Sequence, residues 1–162
     1  GRRLLLLTVT PPGELVISSP DDRGGWTTRP FVSPGNWGSW SPDGKWIAYA
    51  TSLLGGGLRV TPSDSAAPRA LYDETAPGAP RAENSAWSAD GRTIYFKTHA
   101  PDGAVLIMSV PATGGTPRTV MRLGDDRLRS GRYGFRLVGG FIYYVLHDQQ
   151  ANVSVAEVGR TP

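Results

Sequence analysis

The chain has 162 residues, a formal net charge of +3 and no cysteine, which excludes disulfides, thiol catalysis and cysteine-bound zinc. With 39% hydrophobic and 19% charged residues it is too apolar for a disordered chain. Its basic side chains are nearly all arginine, Lys45 and Lys97 being the exceptions, and they form no stripe of the kind that nucleic-acid recognition uses.

In chain order, the first apolar run covers residues 4–7 after Arg2 and Arg3 and ends by Val9, ahead of Pro11, Pro12 and Gly13. A signal-peptide core needs about 7–15 apolar residues and a spanning helix about 20, so the run reads as a buried β-strand. No other segment is apolar enough for long enough to span a membrane. Residues 15–18 then read as a strand, 20–25 as a polar turn, and Trp26 and Thr27 as the start of another strand. Ser39 and Trp40 lead into an Asp43-Gly44 turn and a strand over 46–49. The strand at 58–61 passes through a polar turn at 62–68 to residues 69–71, and a long connection follows over 73–85. Ala86 and Trp87 open a second Asp-Gly hairpin, with Asp90 and Gly91 at its tip and residues 93–96 after it. The strand at 105–110, the turn at 111–117 and the strand at 118–120 follow, and a connection at 124–134 holds Arg127, Arg129, Arg132 and Tyr133. Phe135 starts a final hairpin through residues 141–144, and the last strand falls within 152–158.

These elements repeat. The stretch from Ser39 to Tyr49 aligns with that from Ala86 to Phe96, Trp87 standing 47 positions after Trp40. Asp-Gly between apolar runs is a hairpin signal because glycine accepts a positive φ without steric cost. A third, decayed copy places Phe135 at the tryptophan position and Val138-Gly139 at the Asp-Gly position. Each unit holds four short strands in about 47 residues, within the range of roughly 40–50 residues for propeller blades. Helical repeats of that length would need amphipathic runs of about 10–15 residues, and none is present.

The string from Trp40 to Tyr49 closely resembles the WD-like repeat of TolB-type propellers. Residues 87–96, with 107–111 and Gly114-Gly115, resemble it over a whole blade. The resemblance implies an all-β fold of four-stranded antiparallel blades in an incomplete ring. The expected divisions are a partial blade at 4–32, blades at 36–73 and 84–123, and a partial blade at 133–158. The first lacks its inner strand and the last its outer one. Closed propellers typically have four to eight blades, so the chain is either part of a longer propeller or completes a ring with copies of itself.

Trp40, Trp87 and Phe135 are expected to pack between blades, and Asp43, Gly44, Asp90 and Gly91 to be turn residues. No Gly-x-Ser-x-Gly elbow, assignable Ser-His-Asp set, phosphate loop or EF-hand is present, so neither catalytic residues nor a cofactor is expected. His99 and His147 are the only histidines and occupy matching positions after the second strand of adjacent blades. A metal would need further ligands, for which Asp102 and Asp148 are the candidates, and no metal is expected. The resemblance puts the histidine-bearing loops and the blade-to-blade connections on one rim. There His99 and His147 would join Arg127, Arg129, Arg132 and Tyr133 in a basic surface suited to carboxylates or an acidic peptide.

The expected function is therefore a non-catalytic module that binds a protein or peptide through this rim. The alternatives are a regulatory propeller segment of a larger enzyme, a prolyl-oligopeptidase-like hydrolase or a signalling kinase, and a self-assembling structural module. A periplasmic or extracellular location fits the absence of cysteine.

Overall fold

The computed structural model describes residues 3–8, 10–52, 56–123, 128–129, 134–148 and 153–155. All their regular structure is β. The N-terminal sheet has three strands in the order β1 (Leu4–Thr8), β2 (Glu14–Pro20) and β3 (Trp26–Val32). The second holds β4 (Asn36–Trp40), β5 (Trp46–Ala50), β6 (Leu58–Pro62) and the two-residue β7 (Arg69–Ala70), and the third holds β8 (Asn84–Trp87), β9 (Thr93–His99), β10 (Val105–Pro111) and β11 (Arg118–Leu123). The last sheet contains β12 (Leu128–Arg129), β13 (Phe135–Val138), β14 (Phe141–Asp148) and β15 (Val153–Val155); β14 pairs with each of the other three. Every pairing is antiparallel.

The repeat is visible in the strand ends, since β2, β6 and β10 close on Pro20, Pro62 and Pro111. β2 and β3 thus correspond to the third and fourth strands of the sheets that follow. No strand pairs with the inner edge of β1 among the described residues. Leu4 and Leu6 are exposed on that strand, while Leu5 and Leu7 pack inward.

Two apolar layers between sheets form the core. Side chains alternate across a strand, and β5 is buried on both faces. Ile47 and Tyr49 join Leu15, Ile17, Phe31 and Val32 of the N-terminal sheet. Ala48 and Ala50 turn the other way, toward Ile94, Phe96 and Val110 of the third sheet. The small alanines leave room for the large residues opposite, which is how close-packed interiors fill space. The outer strands β3, β7 and β11 are largely exposed and rich in Thr and Arg, as suits sheet edges in water.

The inner strands β4 and β8 lie side by side, with β1 next to β4 and β13 next to β8. Ser39 and Ser85 hydroxyls meet at 2.9 Å, and Trp87 Nε1 donates to Ser39 O at 3.1 Å. The sequence places Trp40 and Trp87 in buried positions between blades. Both do pack against the inter-sheet layers, but each is only half-buried. Their rings lie at the ends of the inner strands, where the layer opens to solvent. The guanidinium of Arg3 covers Trp40, 4.7 Å from the ring centroid.

Phe135 departs from its expected position. Trp40 pairs with Ile47 and Trp87 with Ile94, but Phe135 pairs with Tyr144, and it is Leu137 that stands opposite Ile142. Strand pairing thus matches Phe135 to Ser85, which stands opposite Phe96. The cause is the turn: Gly139 and Gly140, with φ of 58° and 83°, close a two-residue hairpin, which shifts the register of the preceding strand. Phe135 is buried all the same.

Candidate functional site

The two Asp-Gly turns are near copies. Ser41 Oγ donates to Asp43 Oδ1 at 2.6 Å, and the backbone N–H of Lys45 donates to the same oxygen at 3.1 Å. Ser88 Oγ and the Arg92 N–H do the same to Asp90 at 2.6 and 3.0 Å. Gly44 and Gly91 take the left-handed conformation at φ 69° and 70°. The serine hydroxyl, then the backbone N–H, holds each aspartate below its ordinary pKa. Both carboxylates thus have structural partners within their own turns. Their turns share one face with the next turn along each sheet, as Ser63 N donates to Lys45 O and Ala112 N to Arg92 O, both at 2.8 Å.

The opposite rim carries the turns after each second strand together with the blade-to-blade connections. Gly35 N donates to Gly13 O at 3.1 Å, and Gly56 and Ala82 form a bridge. The long connection is firmly held. Tyr72 Oη donates to Pro80 O at 2.7 Å, Asp73 Oδ1 accepts from Thr75 N and Oγ1 at 2.9 and 2.6 Å, and Glu74 receives Arg59 Nε at 2.9 Å.

Beside this connection lies a groove of about 690 Å³, bounded by residues 78–81 and by the β9–β10 turn at 99–101, with Leu106 and Met108 in its wall. His99 stands at its edge. Glu83 bridges two side chains there: one carboxylate oxygen is 2.9 Å from Lys97 Nζ and the other 3.0 Å from His99 Nδ1. Lys97 is only 3% exposed and directly follows the apolar stretch 94–96 of β9. Neither Glu83 nor Lys97 stood out as a site residue in the sequence. The usable signal was a lysine within the run Thr-Ile-Tyr-Phe-Lys-Thr-His, with a glutamate just ahead of the strand that pairs with it.

Of the residues expected on this rim, His99 is there. Arg129 and His147 are direct cross-strand neighbours on β12 and β14. Arg127, Arg132 and Tyr133 lie outside the described residues. Asp102, the other candidate ligand, is engaged by groups other than His99. It accepts from Ala104 N at 3.2 Å and pairs with Arg122, interactions that lower its pKa in that order. No group of three or more potential metal ligands occurs among the described residues. Among the described residues no helix is long and apolar enough to cross a membrane.

No protein-family model and no curated protein matches the sequence. Solved structures do resemble the fold. TolB from Acinetobacter baumannii superposes with a TM-score of 0.67 at 15% identity, over 96% of this chain and 37% of that one. A putative TolB from Agrobacterium tumefaciens gives 0.56 at 22% identity, over 83% and 50%. A putative 6-phosphogluconolactonase from Bacteroides uniformis gives 0.50 at 15% identity, over 90% and 48%. The chain therefore spans half or less of the length of each. At such identities the likeness is one of fold, and the fold is a TolB-like β-propeller with an incomplete ring in this chain.

Proposed function

We propose that the chain is a non-catalytic propeller module that binds an extended peptide or a protein segment along the groove rim. The observation that carries this reading is the groove itself, with an apolar wall of Leu106 and Met108, a firmly held lip at 78–81, and the polar atoms of Arg81, Glu83 and His99 at its margin. Concave, largely apolar surfaces with a few placed polar groups are the usual form of a recognition site. The partner proposed is acidic. Arg127, Arg129, Arg132 and Tyr133, with His147, belong to the proposed surface on the strength of the sequence, and Arg129 and His147 are cross-strand neighbours in the last sheet. The setting that goes with this reading is periplasmic or extracellular.

The test is to select binders from a displayed peptide library on the intact chain and to measure their affinity at two ionic strengths. The expected binders are acidic. Their affinity falls on joint replacement of Arg127, Arg129 and Arg132 by alanine, and the difference narrows at high salt, where the attraction is screened. Binders of random charge whose affinity ignores both changes would refute the reading.

A second reading is favoured by one observation. Among the described residues β1 has an unpaired edge with Leu4 and Leu6 exposed, which suits a segment whose ring is completed by further blades. Such blades would come from a longer chain, a regulatory propeller attached to an enzyme included, or from another copy. A solution mass of two or more times 17.3 kDa would identify the other copy as the source.

A further inference from the structure

A separate pocket of about 360 Å³ opens where the three inner strands β4, β8 and β13 begin, lined by Trp37, Gly38, Asn84, Ser85, Gly134 and Arg136. Asn84 is 9% exposed, and its side-chain Nδ2 has no hydrogen-bond partner. Buried amide donors in folded proteins are nearly always satisfied, so an orphan facing a cavity marks a missing acceptor. The Ser85 hydroxyl is already engaged with Ser39 Oγ at 2.9 Å and Trp37 O at 3.3 Å. The donors that remain are Asn84 Nδ2 and the guanidinium of Arg136, which reaches only Phe135 O at 3.5 Å and is the one ionised side chain among the described lining residues. Space is kept by glycine, since a Cβ at Gly134 would stand 2.6 Å from Asn84 Oδ1. One wall is Trp37, a bulky residue at φ 53° in an interrupted stretch of the β4–β5 ladder.

We infer that this pocket binds a carboxylate, held by Asn84 Nδ2 and the Arg136 guanidinium. A planar monoanion with two acceptor oxygens matches one amide donor and one guanidinium fork. A phosphate dianion would set two charges against one. The carboxylate comes either from a chain terminus or from an acidic side chain. The inference does not depend on the rim groove, whose lining shares no residue with this pocket.

The test is nuclear magnetic resonance on the intact chain, following the Asn84 side-chain amide signal, identified by its loss in Asn84→Leu. The probes are N-acetylalanine, with a terminal carboxylate, N-acetylglutamate α-amide, with a side-chain carboxylate, and N-acetylalaninamide, with none. The carboxylate probes should shift the signal saturably and the amide should not; the tighter of the two identifies the source. Arg136→Gln should weaken the response at least tenfold. Asn84→Leu removes an unsatisfied donor and should stay folded, with the Arg136 side-chain signal no longer responding to the probes. A chain carrying His99→Ala and Met108→Asp should respond as the parent does, which separates this pocket from the groove. No saturable shift, an equal response to the amide, a stronger response to phosphate, or an unchanged response in Arg136→Gln would each overturn the inference.

Discussion

Glu83→Gln removes the carboxylate that Lys97 and His99 share while keeping the size of the side chain. Lys97 is 3% exposed, so its ammonium cannot recover its hydration without local opening, whereas Glu83 is 21% exposed. Breaking a fully buried ion pair costs about 3–5 kcal/mol, and the partial exposure of Glu83 brings the expected loss to about 2–4 kcal/mol. With a urea slope of about 2 kcal/mol per molar, the unfolding midpoint should fall by roughly 1–2 M. Lys97→Met combined with Glu83→Gln should recover most of that loss, because the buried charge leaves with the lysine. Glu74→Gln is the control: its partner Arg59 is 40% exposed, and such pairs contribute about 1 kcal/mol or less. The assay is urea unfolding of the two single variants, the double variant and the control. A Glu83→Gln midpoint no lower than that of Glu74→Gln, or a double variant no more stable than Glu83→Gln, would refute the argument.

Trp87→Ala should cost about 2–4 kcal/mol, toward the lower side of the range for deleting a large aromatic, because the ring is only half-buried. Trp87→Phe should cost less, and its unfolding midpoint measures what remains of the ring after loss of the bond to Ser39 O. Asp43 and Asp90 have lowered pKa values in the folded chain, so the stability they contribute is complete above the unfolded value of about 4 and is lost as pH falls through the folded one. Replacing Ser41 and Ser88 by alanine should therefore flatten the acid limb of a stability-against-pH curve, and an unchanged limb would remove these turns from acid unfolding. Gly91→Ala, at φ 70°, should destabilise by about 1–2 kcal/mol although only Pro42 Cδ stands near its Cβ position, a backbone effect that thermal unfolding reads directly.

The hairpins were legible because their chemistry is local. Ser, Asp and Gly within four positions fix the turn, and a 47-residue repeat then orders the blades. The register of the last hairpin was not legible in the same way. Aligning Phe135 with Trp87 assumes equal turns, and the Gly139-Gly140 turn is shorter than the Asp-Gly ones. The two asparagines that open β4 and β8 stand 48 positions apart and the tryptophans that close them 47, because the β4–β5 register shifts between Asn36 and Ser39. A sequence alignment anchored on the tryptophans passes over that match. The Glu83–Lys97–His99 cluster depends on cross-strand register between β8 and β9, which no composition or motif reports. The rim was found from loop length and strand direction, and His99 was its visible marker.

The most direct test of the functional account is hydrogen–deuterium exchange on the intact chain with and without a selected peptide. The account predicts slowed exchange over residues 78–83 and 98–101 and no change in the Asp-Gly turns at 41–46 and 88–93. Protection confined to those turns, with the groove segments unchanged, would put recognition on the opposite face and contradict it.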